Sequence, residues 1–90
     1  MNWNIEILKQ AEADLDFFRK NQKQLYIKCF DMMRSVLHDP VSGIGKPERL
    51  KHFGEGYYSR RISLEHRFVY RVDFKQSRVV FVSFRFHYET

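Results

Sequence analysis

From Asn2 to Ile7 polar and apolar residues alternate, and the β-branched and aromatic members of that run (Trp3, Ile5, Ile7) suit a short half-buried strand. The period then lengthens. Ala11, Leu15 and Phe18 recur at helical spacing with Glu12, Asp14, Asp16, Arg19 and Lys20 between them, which predicts an amphipathic helix ending near Asn21. A second helix follows at once. Its Leu25, Cys29, Met32 and Val36 form one stripe and Tyr26, Phe30, Met33 and Leu37 the next, a face wide enough to lie across a sheet. The two helices are expected to form a hairpin. Pro40 closes the second, and Val41-Ser42-Gly43-Ile44-Gly45-Lys46-Pro47 reads as a loop. No helical pattern returns after it. A short strand from Glu48 to His52, a turn at Gly54-Glu55-Gly56 and a strand from Tyr57 to Ser63 come next. A final pair, Phe68 to Phe74 and Val79 to Tyr88, is joined by Lys75-Gln76-Ser77-Arg78, completing an antiparallel meander. The order β-α-α-β-β-β-β predicts an α+β fold: two N-terminal helices cover one face of a small, mainly antiparallel twisted sheet and leave the other open.

Strand alternation says which side chains should reach the open face. In the 68–74 strand, Phe68, Tyr70, Val72 and Phe74 share the apolar side, leaving Arg67, Arg71 and Asp73 opposite with Val69 between them. In the last strand Val80, Val82, Phe84 and Phe86 take the apolar side, and Ser83, Arg85 and His87 the other. Tyr58, Arg60 and Ile62 lie together, opposite Tyr57, Ser59 and Arg61. The expectation is an open sheet face carrying Arg61, Arg67, Arg71, Arg85 and His87.

Composition and charge narrow what such a face could meet. Ninety residues make one domain, 1–90, with a modest core, and nine Phe and five Tyr against four Gly and two Pro exclude collagen-like, low-complexity and disordered classes. A single cysteine, Cys29, can neither close an intrachain disulfide nor furnish a zinc site of the usual spacing. It sits in the apolar stripe of the second helix, where packing is a better reading than nucleophilic catalysis. His38, His52, His66 and His87 show no metal-ligand spacing. The N-terminus has no basic region leading into an apolar stretch, and no eighteen uncharged apolar residues run together, so a reducing, cytoplasmic location away from membranes is the default expectation. The first forty-five residues balance six basic against six acidic groups. The second forty-five carry ten against five, so the whole net charge of +5 belongs to the half that builds the open face. That asymmetry points to nucleic acid, an acidic protein or anionic lipid, the last weakened by the lack of a basic amphipathic helix. Arginines interleaved with Tyr and His suit single-stranded RNA, with guanidinium groups on phosphates and rings on bases. A solvated strand face whose arginines pair with Glu48, Glu65 and Asp73 fits the composition equally well.

Three groups of residues change that balance: Gly45-Lys46-Pro47-Glu48-Arg49-Leu50-Lys51-His52; then Ser59-Arg60-Arg61-Ile62 with Glu65-His66-Arg67-Phe68-Val69-Tyr70; and Phe86-His87-Tyr88. In order and approximate spacing, over nearly the whole chain, they make the sequence resemble the YoeB-type toxins of the RelE/ParE superfamily. The resemblance implies a RelE-like fold. It also implies the toxin of a type II toxin-antitoxin pair, which enters the ribosomal A site, cleaves the mRNA there without a metal or other cofactor, and is neutralised by a YefM-type antitoxin protein. It implies a general base at Glu48, a phosphate-stabilising arginine at Arg67 and a general acid at His87. Tyr88 would be a substitute acid or a base-stacking platform, and Lys51 and Arg61 would contact the RNA backbone. In that family the toxin and antitoxin together commonly bind operator DNA; whether the free toxin is a monomer or a homodimer stays open.

The implied chemistry is coherent, because RNA supplies its own nucleophile. A base need only take the 2′-OH proton, a cation offset the charge on the phosphorane, and an acid protonate the departing 5′-oxygen. The alternative is a non-catalytic toxin of the same fold that inhibits a protein target such as gyrase, as ParE-like relatives do. Those typically lack the Glu and the terminal His-Tyr, so Glu48, His87 and Tyr88 favour cleavage. A basic RNA-binding module without catalysis is a third reading. One geometric condition attaches to the site: a flat strand over 48–52 would send Glu48 and Lys51 to opposite faces, so one of them must sit on a loop or a bulge.

Overall fold

The computed structural model describes residues 2–85. Along the chain the elements are β1 (Asn4–Ile7), α1 (Lys9–Asn21), α2 (Lys23–His38), β2 (Glu48–Arg49), β3 (Tyr57–Arg61), β4 (Arg67–Asp73) and β5 (Arg78–Ser83), the order expected from the sequence. The strands form one sheet in the order β1-β5-β4-β3-β2. From β2 to β5 every neighbour is antiparallel. β1 lies parallel to β5 at the far edge, with Asn4 opposite Arg78 and Ile7 opposite Phe81.

The two helices meet at Gln22, whose N–H still donates to the Phe18 carbonyl while its backbone leaves helical geometry. α2 ends where the Asp39 N–H closes on Ser35 and Pro40 follows. Ala11 and Phe18 of α1 and Cys29, Met32 and Val36 of α2 are buried against Phe68, Tyr70, Val72, Val79 and Phe81 of the sheet. The predicted stripes are therefore the packed ones, with one addition: Asp14, placed among the solvent-facing residues by its charge, is buried in the α1 stripe.

β5 departs from strict alternation. Val79 and Phe81 face the core, opposite Val72 and Tyr70, and Val80 lies opposite Arg71 on the other side. The pairing then slips, with Tyr70 opposite Phe81 but Val69 opposite Ser83. The extra residue, Val82, is a bulge that reverses the alternation. Phe84 consequently turns back to the core and stacks on Phe68, ring centroids 4.3 Å apart. Val80 and Val82 were expected on the apolar side because alternation counts residues and cannot register an unpaired one. Phe74, also expected there, is exposed beyond the end of β4 and meets only the edge of Trp3 among the ring contacts of the described residues.

The helix-side face of the sheet also holds a charge. Arg60 is completely buried, and each of its five N–H groups has an acceptor. Nε donates to the Tyr70 hydroxyl (3.0 Å), Nη1 to Ser35 Oγ (2.7 Å) and the Ile44 carbonyl (3.2 Å), and Nη2 to the carbonyls of Asp39 (2.7 Å) and Ser42 (2.8 Å). The Tyr70 hydroxyl in turn donates a hydrogen bond to the Pro40 carbonyl. One guanidinium thus gathers the loop between α2 and β2. Asp39 tightens the same loop by accepting from Ser42 Oγ and the Val41 N–H, bonds that hold its carboxyl below the usual range. Gly45, at φ +81°, lets the loop close: a Cβ there would lie 2.6 Å from Met32 Cε and 2.9 Å from the Arg61 carbonyl. Its own carbonyl accepts the Arg61 N–H at 2.6 Å, three residues before Glu48.

Two stability outcomes follow from this hub. Arg60→Leu leaves Tyr70 Oη, Ser35 Oγ and three carbonyls without their donor. At about 1–3 kcal/mol for each buried group left unpaired, the loss should reach at least about 3 kcal/mol and lower Tm by more than about 12 °C in thermal circular dichroism. A midpoint within about 2 °C of the parent contradicts the hub. Burial raises the Tyr70 phenol above its ordinary pKa, against the opposing effect of Arg60. Its contribution to stability is therefore complete below about pH 10, where the unfolded chain's tyrosine ionises, and falls away as pH rises through the folded value. Denaturant titrations should show that decline above about pH 10, with a shallower slope in Tyr70→Phe than in the parent; equal slopes would deny Tyr70 that role.

Candidate active site

Register decides which side chains meet on the face away from the helices. Glu48 of β2 lies opposite Ser59, Ser59 opposite Val69, and Val69 opposite Ser83, a row that crosses four strands. One step along the same face, about 7 Å away, Arg61 lies opposite Arg67. One step the other way Tyr57 lies opposite Arg71, whose guanidinium is 5.9 Å from the Tyr57 ring centre. Ser59, Val69 and Ser83 are buried and form a floor of small side chains. Glu48 and Arg61 are exposed at its rim and Arg67 is half-buried.

Two guanidinium groups directly opposite one another on adjacent strands repel, an arrangement that weakens a sheet unless an anion comes between them. Among the described residues no carboxylate does so. The ion pairs among the described residues join Asp16 to Arg19 (2.6 Å) and Lys20 (3.1 Å), and Glu6 to Arg78. The pairing of these arginines with Glu48, Glu65 or Asp73 that composition allowed is not made. Glu48, Arg61 and Arg67 share one face and form no ion pair among the described residues, a carboxylate on the same face as two cations able to hold a phosphate.

β2 is only two residues long, which resolves the conflict of parity between Glu48 and Lys51. The Leu50 N–H donates to the Tyr57 carbonyl (2.8 Å) and the Phe53 N–H to the Leu50 carbonyl (3.0 Å), so buried Leu50 anchors a turn that carries Lys51. Lys51 is thereby free of strand alternation and exposed next to the end of β2.

Arg85 does not join the open face as expected. Beyond the bulge its guanidinium lies over the Phe17 ring of α1, 3.4 Å from the centroid. Its carbonyl is hydrogen-bonded to His66 Nδ1, and the His66 ring meets the edge of Phe18 at 5.3 Å. Phe86, His87 and Tyr88, with the acid role expected of His87, lie outside the described residues.

Sequence reasoning passed over Arg60 and Asp14, and both left a signal. Arg60 sits between Tyr58 and Ile62 on the apolar side of its strand, where an arginine must find many acceptors. Asp14 falls between Ala11 and Phe18 at helical spacing, inside the buried stripe. Among the described residues no three His, Cys, Asp or Glu side chains converge as a metal site, and no helix is long and apolar enough to cross a membrane.

A family model described as the YoeB-like toxin of bacterial type II toxin-antitoxin system matches residues 8–88. The chain belongs to the YoeB-like toxin family. Toxin YoeB of Synechocystis is 41% identical over 76 residues, 84% of this chain and 86% of that protein. The solved YoeB/ParE toxin of Agrobacterium tumefaciens superposes with a TM-score of 0.87 at 38% identity, covering 94% of this chain and 99% of that one. Staphylococcus aureus YoeB, 39% identical and covering 98% of this chain and 100% of its own, has been solved in a YoeB-YefM complex and as a YoeB dimer, with TM-scores of 0.81 and 0.86. The two helices and five-stranded sheet are thus a YoeB-like fold.

In this YoeB-like chain Cys29 is no nucleophile. Burial, followed by the nearby Asp14 carboxylate, pushes its thiol up to about 12. Alkylation by iodoacetamide at pH 8 should be undetectable in the folded chain and complete in guanidinium chloride. Rapid labelling without denaturant would place the thiol at the surface.

Proposed function

We propose that the chain is a ribosome-dependent endoribonuclease that cleaves mRNA in the ribosomal A site and so inhibits translation. The observation that carries this reading is the shared face of Glu48, Arg61 and Arg67, whose charges no partner among the described residues neutralises. Glu48 takes the proton of the 2′-OH as that oxygen attacks the adjacent phosphorus. Arg67 offsets the negative charge that develops on the phosphorane, and Arg61 and Lys51 hold the flanking backbone. His87 protonates the departing 5′-oxygen, with Tyr88 as the substitute. The products are a 2′,3′-cyclic phosphate and a 5′-OH end. RNA brings its own nucleophile, so the reaction calls on neither metal nor cofactor.

Dependence on the ribosome follows from size. A sheet face of five short strands cannot by itself align a flexible RNA for in-line attack, and a body that already holds the mRNA removes that entropic barrier. The site of action is accordingly the cytoplasm. A YefM-type antitoxin is the protein partner this reading calls for, in line with the complex known for the Staphylococcus aureus relative. An acidic segment over the arginine face would silence it, and the toxin-antitoxin complex would be the form that binds operator DNA. The Staphylococcus aureus dimer makes a homodimer the expected state of the free toxin.

The test is mRNA cleavage in programmed ribosomes, read by primer extension and by the chemistry of the new ends. Glu48→Gln and Arg67→Ala should each slow A-site cleavage about 100-fold or more while the variants stay folded. Full toxicity of Glu48→Gln with intact mRNA would overturn the nuclease reading and favour inhibition of a protein target.

A further inference from the structure

Away from Arg61 and Arg67 the open face carries aromatic rings. Tyr57 begins β3 opposite Arg71 of β4, and Arg71 in turn lies opposite Val80 of β5. Tyr57 shares the parity of Ser59 and Arg61, so its ring stands on the side away from the helices, whereas Tyr58 packs against the core. The Arg71 guanidinium lies 5.9 Å from the Tyr57 ring centre, and the Phe53 ring meets Tyr57 at 5.9 Å with a tilt of 53°. Phe53 is 47% exposed, Tyr57 half-buried and Arg71 exposed, and Arg71 forms no ion pair among the described residues.

The turn behind these rings is fixed. Gly56, at φ +82°, accepts the Val72 N–H at 2.9 Å, and a Cβ there would fall 2.5 Å from the Val72 carbonyl oxygen. A Cβ on Gly54 would stand 3.6 Å from Tyr57 Cε1, so the turn passes beside the ring. Rings held in place before a ligand arrives lose little freedom when another flat group stacks on them. An exposed aromatic pair with a cation at its side, on a basic sheet, offers an unpaired base a π-face and its phosphate a positive charge.

The order of groups along the face also gives the RNA a direction. On the nuclease reading the scissile phosphate lies at Arg67 and Arg61, and Glu48, in the next row, takes the 2′-OH proton. Tyr57 and Arg71 form the row after that, each row about 7 Å from the last. The attacking 2′-OH belongs to the nucleotide on the 5′ side of the cut, so that nucleotide is the one that extends from Glu48 toward Tyr57.

We infer that Tyr57, backed by Phe53 and flanked by Arg71, is a base subsite: it stacks the base on the 5′ side of the cut and so sets the direction in which mRNA crosses the sheet. This rests on the nuclease reading above and adds to it a contact with a base rather than with the backbone.

The test is single-turnover cleavage in programmed ribosomes at subsaturating toxin. Three mRNAs are compared: one intact, one lacking the base on the 5′ side of the cut but keeping its 2′-OH, and one lacking the base on the 3′ side. In the parent, loss of the 5′ base should slow cleavage about tenfold or more. The same loss should cost Tyr57→Leu less than about twofold, and should cost Tyr57→Phe, which keeps the ring, as much as the parent. Loss of the 3′ base should affect the parent and Tyr57→Leu equally. If the 5′ base matters no more to the parent than to Tyr57→Leu while Glu48→Gln is inactive, the inference is overturned, the nuclease reading stands and the rings are left to a protein partner. Coupling of Tyr57 to the 3′ base alone overturns it as well. Parent-like cleavage by Glu48→Gln overturns both. Should Tyr57→Leu fail to fold, 5-bromouridine at the 5′ position is cross-linked by ultraviolet light to Glu48→Gln toxin on the ribosome. A link to Tyr57 or Phe53 supports the subsite, and links confined to other residues overturn it.

Discussion

A guanidinium group with no water around it must spend all five of its N–H groups on protein acceptors, and Arg60 does so on five atoms drawn from α2, from β4 and from the loop between α2 and β2. Three of the five are main-chain carbonyls of residues 39, 42 and 44. Satisfying Arg60 therefore specifies the path of the loop, because no other arrangement brings those carbonyls to one point. The loop ends at Glu48. What would otherwise be a flexible connection after a helix becomes a rigid arm delivering a carboxylate to the edge of the sheet, and Gly45 is needed because that arm lies against Met32 and the Arg61 backbone.

On the helix side, where the chain leaves β5, the backbone is held on a similar principle with the charge reversed. Asp14 collects two amides where β5 ends, as Arg60 collects carbonyls where α2 ends. Both ions act on main chain rather than on each other, so each fixes backbone position instead of pairing charge with charge. Between them lies the row Glu48-Ser59-Val69-Ser83 and the opposed arginines Arg61 and Arg67. Like charges held face to face across strands are a feature that packing alone would not retain, and their presence fits a surface made to receive a polyanion.

Much of the fold was legible from the chain. The change of period after Ile7, the two apolar stripes and Pro40 located both helices, and alternation with glycine-rich turns located the meander. Three features were not, for physical reasons. The bulge at Val82 adds a residue that alternation cannot count, so Val79 and Phe81 exchanged faces with Val80 and Val82, and β5 ends at Ser83, so Arg85 lies beyond strand alternation and reaches Phe17 of α1 instead of the open face. The parallel pairing of β1 with β5 joins residues about seventy apart in sequence, beyond the reach of any local pattern. Arg60 and Asp14 were classed by charge as solvent-facing or left unassigned, although their spacing put both on apolar stripes. At the site, parity placed Arg61 and Arg67 together. Glu48 and Lys51 came from resemblance and stayed in geometric conflict until β2 proved to be two residues long.

The sharpest single measurement is a double-substitution cycle on the single-turnover rate of mRNA cleavage in programmed ribosomes, using Glu48→Gln, Arg67→Ala and the two together. Groups that serve one transition state fail as a unit. The doubly substituted chain should therefore be no more than about tenfold slower than the slower single variant. If the two losses multiply in full, Glu48 and Arg67 act in separate places, and the single shared site on the open face is contradicted.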